Sequence, residues 1–387
     1  MKKYLALAAI FLLLCGCGKK EDIPTPPPIS EPPAVSQPEE PAPPPVEEPI
    51  EEPDPLGDMI SEMTLAEKVG QLFFVRCPAE TAVEDISAYH LGGYVLFGRD
   101  TKDKTAGELI ETIASYQTAS EIPLLIGVDE EGGTVVRVSS NPHLRSSKFQ
   151  SPQKVYAAGG LDRVITDTQE KDRLLRALGF NVNLAPVADI STNSGDFIYS
   201  RSFGQSPEAT AEYITAVTSQ MKADGMGSAL KHFPGYGSNV DTHTGIARDS
   251  RPLEQFFAED FLPFSAGFSA GGDTVSVLVS HNIMECVDDT LPASLSPAVH
   301  DLLRSDLGFE GVIMTDDLAM AAVAAYAGDG SVAVMALQAG NDLIITGDYP
   351  VQIPKVISAV ENGTLSEDLI DIACRNVLEW KQALGLI

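Results

Sequence analysis

The sequence predicts an α/β protein, a single TIM-like (β/α)8 barrel preceded by an export signal and a Pro/Glu-rich stalk. Three observations carry that expectation. From Pro55 onward, short apolar runs alternate with amphipathic stretches of helical period, the pattern of a parallel sheet wrapped by helices. The runs are Val69 to Val75, Gly93 to Phe97, Pro123 to Val128, Val182 to Val187, Ser228 to His232, Val275 to Ser280, Gly311 to Thr315 and Asp342 to Thr346, about the eight that close such a barrel. Periodicity alone would also fit a doubly wound open sheet. The polar residues decide between the two, because charged and histidine-bearing segments fall just after the runs, on the carboxyl face where barrels keep their active sites.

The N-terminus comes first. Lys2 and Lys3 precede an apolar run from Tyr4 to Leu14 that is short for a bilayer span, so residues 1–16 read as an export signal. Leu14-Cys15-Gly16-Cys17 resembles a lipobox with a small residue before the acceptor cysteine. Cys17 is therefore the expected lipidation site, and an extracytoplasmic, membrane-anchored lipoprotein is the expected product. Residues 17–53 are almost wholly Pro, Glu, Ser, Ala and Val, a composition unable to bury enough apolar surface to fold. They are expected to form a disordered, extended stalk ahead of the domain at 54–387.

Composition narrows the partners. Of 387 residues, 55 are acidic and 26 basic, giving a formal charge of -29 that would repel nucleic acid and anionic lipid. Cys77, Cys286 and Cys374 remain after the signal, too widely spaced for a disulfide framework or a zinc site, and are expected in the core. Helices are predicted over Lys104 to Thr118, Asp162 to Leu178, Pro207 to Ala223, Pro252 to Phe264, Pro297 to Leu307 and, closing the ring, Ser366 to Leu384.

The segment Lys231-His232-Phe233-Pro234-Gly235-Tyr236-Gly237, followed by Asp241-Thr242-His243, is the richest in chemistry. Lys231 and His232 at a strand tip can donate to hydroxyls, and the Pro and Gly residues turn the chain into a loop. Asp241 and His243 can form a carboxylate-imidazole pair in which the acid fixes the ring's tautomer and raises its basicity. Read alone, that pair is as readily structural, and metal ligation stays open, although no second cluster of metal spacing supports it. Gly311-Val312-Ile313-Met314-Thr315-Asp316-Asp317-Leu318 ends a run in two carboxylates, either a nucleophile and its neighbour or a helix cap. Asp129-Glu130-Glu131 with Arg137, and Asp189 with Arg201, follow two other runs; Asp189 is expected to support the barrel. His281, at a strand end, is a further candidate for a pocket lining, whereas His90, His143 and His300 are expected at the surface.

These segments together resemble glycoside hydrolase family 3, specifically its β-N-acetylglucosaminidase (β-N-acetylhexosaminidase) branch, and the resemblance spans essentially everything after the stalk. Met63 to Leu72, Ser280-His281 and Pro292 to Leu295 match more weakly. The resemblance implies that Asp316 is the nucleophile, that His243 is the acid/base oriented by Asp241, and that Asp129, Arg137, Arg201, Lys231 and His232 hold the terminal sugar. It implies a retaining exo-hydrolase of terminal N-acetylhexosamine that needs neither metal nor organic cofactor. Two residues depart from the common pattern: Glu130 stands where Gln is usual, and Tyr236 where many relatives have His. Some relatives carry a further domain after the barrel, whereas this sequence stops soon after its closing helix, so a lone catalytic barrel is expected. With the anchor and stalk, the implied role is peptidoglycan turnover. A phosphorylase of the same fold and a sugar-binding lipoprotein are the alternatives.

Overall fold

The computed structural model describes residues 24–25, 27–28, 30, 53–239, 246–320, 323, 325–328 and 330–387. The chain divides into two units, Met1–Glu52 and Pro53–Ile387. Cys17, Asp241 and His243 lie outside the described residues, as do the signal and nearly all of the stalk.

The larger unit is an α/β fold around a curled parallel sheet. Seven strands pair in chain order: β1 (Phe74–Arg76), β2 (Gly93–Leu96), β3 (Leu125–Val128), β4 (Val182–Asn183), β5 (Gly227–Phe233), β7 (Val275–Val279) and β9 (Ile313–Thr315). The short β6 (Arg248–Asp249) and β8 (Ile283–Met284) pair separately. Between β9 and β1 runs the segment 342–346, held through isolated parallel bridges Met314 to Leu343 and Phe73 to Ile344. The Phe74 amide donates to Ile344 O at 2.9 Å, and the Ile344 amide to Leu72 O at 2.7 Å. The eighth predicted run thus occupies the eighth position of the ring.

β2, β3, β5, β7 and β9 are buried along their whole length, which is why they read as continuous apolar runs and not as alternating ones. Their side chains join one core with the inner faces of the surrounding helices. Small residues let the interior close: a Cβ at Gly127 would sit 2.3 Å from the Phe74 ring.

Several boundaries differ from expectation for local reasons. Residues Leu65–Gln71 form a helix, not the start of β1, because Thr64 and Glu67 make a reciprocal capping box. The run at Val182 pairs for only two residues, since Pro186 has no N–H to give the ladder. The predicted helix over Pro252 to Phe264 is two helices, Leu253–Ala258 and Phe261–Gly271, parted by the non-helical Glu259. The helix Pro152–Leu178 starts ten residues before the predicted Asp162 and carries non-helical dihedrals at Gly159 and Gly160. Cys77 and Cys374 are buried as expected, but Cys286 is exposed. His300 is also a correction: it is 3 % exposed, with Nδ1 against the Ser296 carbonyl one turn earlier.

Candidate active site

The carboxyl ends of the strands surround a cavity of about 440 Å³ lined by Asp129, Arg137, Arg201, Lys231, His232 and Asp316, together with Arg76, Phe97, Tyr236 and Asp317. Every described residue among the sequence-derived candidates is therefore on one cavity.

One wall is a buried ion network. β3 ends at Val128, and the residues after it supply Asp129 and Glu131; Lys231 reaches across from β5. Its Nζ lies 2.7 Å from Asp129 Oδ1 and 2.6 Å from Glu131 Oε1. Arg201 grips Glu131 in a fork, Nε to Oε2 at 3.0 Å and Nη2 to Oε1 at 2.7 Å. Burial works against the charge on Glu131, yet Lys231 and Arg201 outweigh it and hold its carboxyl far below the usual carboxylate range. Burial likewise works against Lys231, and Asp129 and Glu131 outweigh it, so its ammonium is held more firmly than that of an ordinary lysine. Arg137 approaches Asp129 from outside, at 3.7 Å.

His232 is fixed on three sides. Asp189 Oδ2 accepts from its Nδ1 at 2.7 Å and from its backbone amide at 3.1 Å, while Asp189 Oδ1 accepts from the Tyr236 amide at 2.8 Å. With the proton on Nδ1, Nε2 is the acceptor that faces Arg201 Nη2 at 3.1 Å. Tyr236 stands edge-on to the imidazole, with ring centroids 5.1 Å apart. Asp189 thus supports the strand tip from behind the cavity, in keeping with its absence from the lining. Lys231 and His232 both reach the cavity although they are consecutive, and the register of β5 against β7 shifts at this point.

Glu130 has a structural task. Its carboxylate is fully buried and accepts from the amides of Arg137 at 2.8 Å, Val138 at 2.7 Å and Ser139 at 3.2 Å, pinning the loop that carries Arg137. The same loop needs glycine at 132, where φ is +100° and a Cβ would lie 2.2 Å from the Gln150 carbonyl oxygen.

The facing wall comes from β9 and β1. The Asp316 amide donates to Val279 O at 2.9 Å, tying it to the neighbouring strand, and Asp316 Oδ1 accepts from the Asp317 amide at 2.8 Å. Asp317 is held by the Ala319 amide at 2.9 Å and by Arg76 Nη1 at 3.4 Å. Burial raises its carboxyl above the ordinary range, with the Ala319 amide and Arg76 pulling the other way. His281 does not line the cavity: it is fully buried, Nδ1 at 2.7 Å from Ser294 Oγ and Nε2 at 3.2 Å from the Asp317 carbonyl, and so braces the turn after Asp316.

Sequence reasoning missed Arg76 and Phe97. Arg76 lies immediately after an apolar run, the same signal that flagged Asp129 and Asp316, and its guanidinium stacks 4.6 Å from the Phe97 ring centroid. Glu131 was seen only as part of a carboxylate triplet; nothing local shows that it, and not Glu130, pairs with Lys231 and Arg201.

Comparison with known proteins adds the following. The profile described as "Glycosyl hydrolase family 3 N terminal domain" matches residues 64–380. A protein named "Beta-hexosaminidase" from Xanthomonas campestris pv. campestris (strain B100) is 34% identical over 300 residues, 76% of this chain and 88% of that protein. One from Stenotrophomonas maltophilia (strain R551-3) is 32% identical over 301 residues, again 76% and 88%. Among solved structures, a family 3 β-N-acetylglucosaminidase from Paenibacillus sp. str. FPU-7 superposes with a TM-score of 0.77 at 31% identity; the match covers 84% of this chain and 63% of that one. A β-N-acetylhexosaminidase from Beutenbergia cavernae DSM 12333 gives 0.73 at 26% identity, covering 84% and 99%.

Proposed function

The chain belongs to glycosyl hydrolase family 3, and from that premise we propose that it is a retaining exo-β-N-acetylhexosaminidase releasing terminal, non-reducing N-acetylglucosamine. The observation that carries this reading is that Asp316 and the donor-rich set Asp129, Arg137, Arg201, Lys231 and His232 line one cavity. A neutral sugar needs fixed donors and acceptors, and the ion network supplies both without rearrangement.

In the reaction, an oxygen of Asp316 bonds to the anomeric carbon as the glycosidic C–O bond breaks. The bonding pair leaves with the glycosidic oxygen, which takes a proton from His243, and a covalent glycosyl-enzyme forms. Water then attacks the same carbon from the opposite face. Neutral His243 takes its proton, Asp316 departs as carboxylate, and two inversions give retention. Asp241 orients His243. Support for bringing that pair to the cavity comes from Tyr236, which precedes Asp241 by five residues and lines the cavity.

We place the enzyme outside the cytoplasm, anchored through a lipid on Cys17 and raised on the Pro/Glu-rich stretch, acting on saccharides released in peptidoglycan turnover. The lipobox-like Leu14-Cys15-Gly16-Cys17 supports the anchor. Radiolabelled fatty acid incorporated into the unaltered protein and absent from Cys17→Ala is the expected result; equal labelling removes Cys17 from this role.

Asp316→Ala tests the mechanism. Release of chromophore from an aryl N-acetyl-β-glucosaminide falls on the order of 10⁴-fold, as when a nucleophile is removed from other hydrolases. Undiminished turnover eliminates Asp316 as the nucleophile.

A further inference from the structure

Two arginines stand where the sugar cavity opens outward. Arg76 lines that cavity and also a second, open one of about 520 Å³, so the two adjoin at its side chain. Arg99, on the short helix Gly98–Thr101 after β2, lines the second cavity with Thr81, Asp85 and Tyr349.

Both guanidiniums are loosely engaged. Arg76 meets Asp317 at 3.4 Å and Arg99 meets Asp100 at 3.3 Å, with 39% and 52% of their side chains exposed. Arg99 also donates to the Cys77 carbonyl, which fixes one end of its fork. Stacking on Phe97 fixes the plane of Arg76. Each guanidinium carries five donors, so most remain to face the cavity. Asp85 is the carboxylate in this lining, and it already accepts from Thr81 and Tyr349 hydroxyls. In a chain of net charge -29, two arginines at one mouth locally reverse the sign of the field.

We infer that this adjoining cavity receives the leaving part of the substrate and that this part carries a carboxylate, held by Arg76 and Arg99. The inference rests on the β-N-acetylhexosaminidase reading above and names its substrate class: acidic saccharides with a terminal N-acetylhexosamine. The planar fork of arginine fits a carboxylate with two parallel hydrogen bonds, which a neutral hydroxyl cannot reciprocate.

The test compares kcat/KM for two disaccharides with the same terminal sugar: N,N′-diacetylchitobiose, and the analogue whose reducing sugar bears a 3-O-lactyl carboxylate. The unaltered protein prefers the acidic one by about tenfold or more, a modest yield for one charge-assisted hydrogen bond, and the preference shrinks with added salt. Arg99→Gln loses it and Arg99→Lys keeps part of it. Turnover of a neutral aryl N-acetyl-β-glucosaminide by Arg99→Gln stays unchanged, which also shows that the variant is folded. Equal kcat/KM for both disaccharides in the unaltered protein, or a preference that survives Arg99→Gln, overturns the inference and leaves the hexosaminidase reading intact. Saturable acceleration of aryl glycoside turnover by inorganic phosphate overturns it too, since the arginines would then serve free phosphate. An aryl glycoside that is not cleaved at all instead defeats the reading on which the inference rests.

Discussion

The two walls of the cavity are built on different principles. The β3–β5 wall is a closed electrostatic network in which Lys231 and Glu131 are 2 % and 5 % exposed and every close contact is 2.6 to 3.0 Å. The β1–β9 wall is looser: Arg76 and Asp317 meet at 3.4 Å with a substantial part of each side chain in solvent. A group that must hold a sugar in one pose is best locked before the sugar arrives. A wall that meets the reacting bond and the departing saccharide has to accommodate change, and loose pairing permits it.

The hardest blow to this contrast is Glu131→Gln. It leaves Lys231 and Arg201 buried with too little negative charge, and breaking a buried pair this way costs about 3–5 kcal/mol. The measurement is chemical denaturation, and a loss below about 1 kcal/mol would mean that the network is not the rigid element. Lys231→Met comes next. Removing a charged donor is worth about 1.5–3 kcal/mol, and the loss should appear in kcat/KM for the aryl glycoside.

Asp317→Asn, on the looser wall, should move the unfolding free energy by under about 1 kcal/mol, as expected of a half-exposed ion pair. An effect equal to that of Glu131→Gln would erase the difference between the walls.

The walls also differ in sign with pH. The Glu131 carboxyl is depressed on folding, so its stabilisation is present above its unfolded value of 4.5 and is lost as pH falls further. That of Asp317 is raised, so its contribution is full below 3.8 and declines as pH rises through the folded value. Thermal melts of the unaltered protein should therefore drop on the acid side of pH 4.5, and the drop should be shallower in Glu131→Gln. An identical acid limb in both would assign it to other carboxylates. The smallest effect is expected far from the cavity: Arg375→Gln, which removes an exposed pair with Asp54, should leave the melting temperature within error.

Much of this was legible in the chain because strand tips are local in sequence. Asp129, Lys231, His232 and Asp316 each follow an apolar run directly, and a parallel barrel places all such positions on one face. Partnerships were less legible. His281 and Asp317 lie 36 residues apart, and Arg76 and Asp317 lie 241 apart. No periodicity links such pairs.

The sequence alone determined the alternation of strand and helix, since burial on both faces demands continuous apolar runs, and it determined which chemical groups stand at the strand ends. Only the tertiary structure decided which of three consecutive carboxylates serves the cavity, which histidine braces a turn instead of lining the pocket, and that the first strand's Arg76 faces the last strand's Asp317. Closing the ring brings the ends of the sheet together, and that proximity is a property of the whole barrel and of no segment within it.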